Sequence, residues 1–486
     1  MPMAMPIGLF FSLLFGVMIW MLPVPFVLLA AVGAASVITI IRRPVRGLLL
    51  FGVIATFIPY STVQIGIRTT VSEALIMLTW GSYLLQAMIQ HQARIPKMLR
   101  TERLLVALMM FSAFPFLIGE LTVVAEGNGP INWVRWLFNL SVLFLVPRLL
   151  VDLQTLEKLV IALLGGTLML LLLSIPIYVL SGSALSITPV LRVMGYSGAD
   201  VLGEALLSLS SRMGSPWMHP NVAGGALAML LPLAFCFGMT RTGSARMLGL
   251  SVAVLGALGL LLTGSRGALV SLVIVMLWMT RRRIPHLGRI LMGGAAAGVV
   301  LMMFYPPLQD RLMSLFSDDD TSTAIRFLEY SHFPDAMATF PFGIGFKTDP
   351  PVLGYTDFGI SNLWLNFIYK MGLPGMLLFI AITVSWWKEV RPPAGRIVLT
   401  PENAINLGCM TGVLAALCSG LFDHYFSFTS VLARCSGCSS ASACTKAGAC
   451  VPSPPDRSHP PSPYPSREPP HETSHDALAQ SARRIA

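Results

Sequence analysis

Long apolar runs separated by short polar connections occupy most of the chain, and within the runs apolar residues follow one another without strand alternation. Stretches near or beyond the roughly 17 residues that cross a bilayer recur. In the run from Ala162 to Leu173 nearly every position is apolar, whereas a barrel strand would alternate over about 10 residues. The pattern predicts an all-α, polytopic transmembrane helical bundle. Spans are expected near 7–22, 24–41, 47–61, 71–90, 104–119, 133–150, 159–180, 221–239, 247–263, 267–280, 290–305, 361–387 and 403–422, about thirteen in all by length and hydropathy. The first stretch, Met1 to Trp20, lacks a basic leading region and a small-residue cleavage site, so it reads as a retained span.

Loop charges orient these spans. With the N-terminus inside, one set of loops holds Arg42, Arg43, Arg46, Arg94, Lys97, Arg100, Arg103, Arg148, Lys158, Arg241, Arg246, Arg281, Arg282, Arg283, Arg289, Lys388, Arg391 and Arg396. The opposite loops hold Arg68, Arg135, Arg192, Arg212, Arg266, Arg311, Arg326 and Lys347 over a greater length. The positive-inside rule makes the second set external. Two external segments, Ser181 to Pro220 and Pro306 to Ile360, far exceed the usual connection of about 4–6 residues. Long loops on one face place the chemistry there. The chain divides into N-terminal transmembrane helices (1–200), a region carrying the chemistry (201–432, with the external loop 306–360) and a tail (433–486). The tail holds nine Pro and four Cys with few large aliphatics, and reads as disordered or as the product of a frameshift, because it interrupts the apolar run His424 to Leu432.

Composition narrows the class. Charged residues are 12% of the chain and hydrophobic ones 55%, against about 25% charged in a soluble domain, so lipid is the solvent. The net charge of +10 reflects loops held at the cytoplasmic face, and no nucleic-acid partner is expected. Cys236, Cys409 and Cys418 sit in apolar runs and read as small core residues. Of the tail cysteines only Cys435 and Cys438 have zinc-like spacing, with no His nearby, so no metal is expected there or in the membrane portion.

Three external arginines carry the candidate chemistry: Arg212 in Ser-Arg-Met-Gly-Ser-Pro-Trp-Met-His-Pro-Asn, Arg266 in Thr-Gly-Ser-Arg-Gly, and Arg326 in the second long loop. An Arg at a span costs about 2.5–3.5 kcal/mol at the bilayer centre, so each sits at the interface, snorkelling to headgroups, or in a wet cavity. A planar fork that pairs with phosphate oxygens suits an anion, and a lipid diphosphate would bring its head to this depth. Arg326, Glu329 and Tyr330 share a helix face if 323–338 is helical. Glu329 is then a surface ion-pair partner of Arg326 or a base for a sugar hydroxyl, a role open also to His332 and Asp335. Glu73, Lys370, Asp423 and His424 are the other ionisable groups in or beside spans, with Lys370 able to neutralise Glu73 or meet helix carbonyls. Gly343-Ile344-Gly345 and Thr263-Gly264-Ser265-Arg266-Gly267 lack the context of nucleotide loops.

These segments resemble the bacterial O-antigen ligase and O-antigen polymerase family. The likeness rests on Arg212-Met-Gly followed by His219-Pro220-Asn221 entering a span, on Leu262-Thr-Gly-Ser-Arg266-Gly-Ala-Leu, on Arg326 upstream of Phe340-Pro-Phe-Gly-Ile-Gly345, and on Ser361-Asn362 ahead of Gly372-Leu-Pro-Gly375. It covers about residues 200–425. It implies a metal-independent, inverting membrane glycosyltransferase of the bacterial inner membrane that needs no cofactor. Its donor would be an undecaprenyl-diphosphate-linked glycan, its acceptor a glycan or lipid A-core, and its active site would face the periplasm among membrane lipids. By similarity Arg212, Arg266 and Arg326 would hold the diphosphate, with His219, Asn221, Ser361 and Asn362 lining the substrate site. Glu329 and His332 are the candidate catalytic groups. Ser361 stands where ligases of the family carry His, which tilts the expectation from ligase toward polymerase. The rival reading is a multi-span transporter or a flippase for lipid-linked oligosaccharide; paired halves with matching broken helices would mark a transporter.

Overall fold

The computed structural model describes residues 24–65, 67–90, 98–123, 128–150, 152–196, 211–284, 286–304, 321–347 and 360–423. In chain order the helices are α1 (Val24–Arg42), α2 (Pro44–Phe57), α3 (Val71–Gln90), α4 (Arg100–Phe111), α5 (Ala113–Thr122), α6 (Gly129–Leu140), α7 (Val142–Leu149), α8 (Leu153–Ser181), α9 (Thr188–Val193), α10 (Pro220–Thr240), α11 (Gly243–Thr263), α12 (Arg266–Arg281), α13 (Leu287–Phe304), α14 (Thr321–Thr339), α15 (Leu363–Val390) and α16 (Ala404–Ser419). Between α2 and α3 a small antiparallel hairpin, β1 (Thr62–Ile65) and β2 (Ile67–Thr70), pairs Thr62 with Thr70 and Gln64 with Arg68. This hairpin is the one departure from an all-helical architecture among the described residues.

Six helices among the described residues are long and apolar enough to cross a membrane: Arg100–Thr122 and Gly129–Leu149, each with an internal turn, and α8, α10, α11 and α15. The expected count of about thirteen is therefore only partly matched. The span expected at 47–61 is the 14-residue α2, which at about 1.5 Å per residue falls short of a hydrocarbon core about 30 Å thick. Its chain turns at Ile58 into the hairpin. The span expected at 403–422 is likewise shortened, to the 16 residues of α16, because the chain turns at Gly420. The expected first span and the tail lie outside the described residues.

The sequence of α10 is apolar around its whole circumference, which suits a helix enclosed by lipid or by other helices. From Ala223 to Gly238 every residue is buried, against α11, α12 and α16. Small residues let the backbones meet. A Cβ on Gly249 would lie 2.6 Å from the Gly238 nitrogen, and one on Gly408 would lie 2.7 Å from the Leu233 Cα.

Polar side chains fasten the two ends of the bundle. At one end Arg241 Nε meets Glu157 Oε1 at 2.8 Å and its guanidinium also donates to the Pro401 carbonyl, while Thr101 donates its hydroxyl to Glu389 at 2.8 Å. The opposite end gathers Arg212, His219, Arg266, Ser361 and Asp423. Both long segments expected to be external contain helix: α9 in the first and α14 in the second.

Candidate functional site

The segment ahead of α10 is embedded in protein. Tyr178 donates its hydroxyl to the Ser211 carbonyl at 2.6 Å, Tyr196 to the Pro216 carbonyl at 2.7 Å, and the Trp217 indole N–H reaches the Thr56 carbonyl at 3.1 Å. The Met213 N–H bonds to the Leu262 carbonyl at 2.9 Å. Arg212 is thereby only 3% exposed, too enclosed to snorkel to headgroups. Its Nε donates to the Thr263 carbonyl at 2.6 Å and its Nη2 donates to the Asn221 side-chain oxygen. The first contact satisfies a carbonyl left over at the end of α11 and sets a positive charge at the negative end of that helix.

The Thr-Gly-Ser-Arg motif is the reversal between α11 and α12. Gly264 caps α11 in the left-handed region at φ 61°, a conformation that suits Gly, so Arg266 opens α12 two residues later. This turn presses on the start of α10, where a Cβ on Gly224 would lie 2.5 Å from the Ser265 Cβ. On its other side a Cβ on Gly267 would lie 2.6 Å from the Phe422 Cβ, which brings Arg266 beside the Phe422-Asp423 turn after α16.

His219 is the N-cap of α10; its Nδ1 accepts the Asn221 N–H at 3.1 Å, so the neutral ring serves this cap. Its side chain is exposed at this end; partial desolvation by the protein around it and then the Arg212 guanidinium lower its pKa to about 4, with Asp423 pulling the other way. Asp423 therefore acts on both His219 and Glu329.

Glu329 on α14 is 1% exposed, which corrects the surface ion-pair reading. Its Oε2 accepts the Ser361 N–H at 2.8 Å and its Oε1 the Ser361 hydroxyl at 3.0 Å. Burial raises its pKa, the Ser361 hydrogen bonds lower it, Asp423 raises it and Arg326 lowers it. Arg326 is one turn earlier on α14, and its buried Nε has no hydrogen-bond partner among the described residues. His332, one turn later, is half-buried.

Asn362 has an architectural task. Its Oδ1 caps α15 by accepting the Trp364 and Leu365 N–H groups at 3.0 and 3.2 Å, and its Nδ2 donates to the Leu421 carbonyl at 3.1 Å. With the Leu363 N–H on the Gly420 carbonyl at 2.7 Å, it locks the start of α15 to the end of α16. Glu73 is the N3 member of a capping box on α3, exchanging bonds with Thr70 at 3.0 and 3.2 Å, and it faces Arg135 at 3.9 Å. Lys370 reaches the Lys347 carbonyl at 3.4 Å, which belongs to the turn after α14 and not to a helix as expected.

Sequence reasoning missed a break inside α15. Gly372 has φ 67° and ψ −179°, which frees the Tyr369 and Lys370 carbonyls for the Ile344 and Gly345 N–H groups at 2.9 and 3.1 Å. The Phe340–Gly345 turn docks there, with Gly343 at φ 87°, and so ties the end of α14 to the middle of α15. A Pro at 374 beside paired glycines was the available signal.

Residues 251–380 match the family model described as O-antigen ligase, which bears out the family resemblance; the Arg212 and His219-Pro220-Asn221 motif lies ahead of the matched residues. That stretch contains Arg266, Arg326, Glu329, Ser361 and the Gly372 break. No curated protein matches the chain.

Proposed function

We propose that this polytopic protein of the O-antigen ligase and polymerase family is a bacterial inner-membrane enzyme that transfers glycan from an undecaprenyl diphosphate carrier to an acceptor hydroxyl at the periplasmic face. One observation carries the reading. The N-termini of α10, α12 and α15, the enclosed Arg212, and Arg266 beside the Asp423 turn gather at one end of the bundle, where Asp423 also bears on Glu329 and Arg326 lies one turn from it.

Helix N-termini and guanidinium groups both favour a phosphate anion. A diphosphate held in the positive field of Arg212, Arg266 and Arg326 gains negative charge as its bond to the anomeric carbon breaks. Cations fixed in place before that moment stabilise the transition state without reorganising. The polyprenyl tail stays in lipid while the sugar projects past α14. An acceptor oxygen arriving from the face opposite the diphosphate inverts the anomeric centre. The guanidinium groups supply the positive charge that a metal would otherwise provide. Ser361 in place of the His of ligases favours polymerisation, in which one lipid-linked chain is passed to the next repeat unit.

The test is transfer by purified protein in lipid nanodiscs, using a lipid-diphosphate repeat unit alone and then with a lipid A-core acceptor. A ladder formed from the repeat unit alone is expected. Single-step transfer that requires the core acceptor would instead make the protein a ligase. Absence of transfer in both, with lipid-linked units moved between leaflets, would make it a flippase.

A further inference from the structure

We infer that Glu329 is the general base that takes the acceptor hydroxyl proton, and that Ser361 is the positioning residue that holds its carboxylate. This rests on the glycosyl-transfer reading and names the group that replaces the missing His at position 361.

The geometry isolates Glu329 for the task. Its carboxylate is buried, fixed by two hydrogen bonds from a single residue, and set one helical turn from Arg326. Residues three apart on a helix face lie about 5–6 Å apart, so a diphosphate on Arg326 places the attached sugar beside Glu329. A carboxylate offers about four lone-pair sites; Ser361 occupies two, and the rest can accept from an acceptor hydroxyl. Ser361 itself is a poor base, and both of its donors point at Glu329. Among the described residues the charged groups that bear on Glu329 are Arg326 on its own helix and Asp423 beyond the end of α16; Asp423 and Arg212 also bear on His219. The first charged residue on α15 is Lys370, nine positions past Ser361.

In the step, the acceptor O–H bond breaks and its proton goes to Glu329 while the oxygen forms a bond to the anomeric carbon. The bond from that carbon to the diphosphate oxygen breaks, and its electron pair leaves with the polyprenyl diphosphate. Because the base works unprotonated, the rate falls as pH drops through its pKa, which burial sets above the ordinary carboxylate range. The Ser361 hydroxyl lowers that pKa, so its removal moves the acid limb to higher pH.

The experiment measures donor binding and transfer by Glu329→Gln, Ser361→Ala and Ser361→Thr, with a sugar acceptor and with azide, a nucleophile that needs no base. Glu329→Gln is expected to bind undecaprenyl diphosphate as the wild type does, to lose about 10²–10⁴-fold in transfer to the sugar, and to retain transfer to azide. Ser361→Ala is expected to move the acid limb upward, and Ser361→Thr to restore it. Wild-type sugar transfer by Glu329→Gln, equal loss of sugar and azide transfer, or loss of donor binding would each overturn the assignment. A wild-type protein that transfers to neither acceptor would instead overturn the glycosyl-transfer reading.

Discussion

Arg212 donates from Nε to the Thr263 carbonyl at 2.6 Å, and this bond joins the segment ahead of α10 to the turn that carries Arg266. Two of the three arginines are thus held in one frame before any ligand arrives. Arg212→Ala leaves the Thr263 carbonyl and the Asn221 side chain to find other partners, at a cost of about 1–3 kcal/mol. Arg212→Lys keeps the charge but loses the fork. Both variants are expected to lose transfer at least tenfold, and only Arg212→Ala to show a clearly lowered Tm in detergent. A fully active Arg212→Lys would remove the planar fork from the account.

The start of α10 reaches the Thr263–Arg266 turn because position 224 has no side chain. A Cβ there would lie 2.5 Å from the Ser265 Cβ, so Gly224→Ala forces the turn outward at about 1–3 kcal/mol of overpacking. Thermal unfolding should show the loss, and donor affinity should fall with it. Unchanged Tm and affinity would mean that the two elements separate without consequence.

The bundle, the order of the motifs and their common end were legible in the sequence because apolar runs, turn glycines and loop arginines are local signals. Contacts that bring distant positions together were not. Glu329 and Ser361 are 32 positions apart, and no spacing rule joins them, so the sequence favours Glu329 as a surface partner of Arg326 over Glu329 as a base. Other signals are local. Asn362 directly ahead of an apolar run is an N-cap pattern, and Thr70-Val-Ser-Glu73 is a capping-box pattern, so both residues have structural tasks that the sequence already carries. Span lengths failed where the chain turns early, at Ile58 and Gly420, since hydropathy marks an apolar run but not the end of its helix.

The Phe340–Gly345 turn joins α14 to the break in α15, and Gly343 holds it in a backbone conformation that side chains rarely adopt, φ 87°. A Cβ at this position would lie 2.6 Å from the Lys370 carbonyl carbon and oxygen. Gly343→Ala is expected to cost about 1–3 kcal/mol and to loosen α14, exposing Glu329. Amide exchange over 321–339 should quicken in this variant. Exchange at the wild-type rate would mean that α14 is held without the turn.

Stability should respond to acid at His219. Its pKa falls from the ordinary 6.5 to about 4, chiefly through desolvation by neighbouring protein and then through Arg212; because the side chain is exposed, solvent screening keeps the effect on stability small. Below about pH 6.5 the unfolded chain therefore takes up a proton that the folded protein refuses until about pH 4, and the folded state loses ground across that window. The Tm of the wild type is expected to drop more steeply over this range than that of His219→Gln. Parallel curves would show that His219 is not held neutral.

Native mass spectrometry of undecaprenyl diphosphate and undecaprenyl monophosphate binding to the wild type and to Arg212→Lys, Arg266→Lys and Arg326→Lys tests the grip on the carrier most directly. The account requires the wild type to prefer the diphosphate and each variant to lose at least tenfold of that affinity while binding ordinary phospholipid unchanged. Equal affinity for both carriers in all four proteins would contradict it.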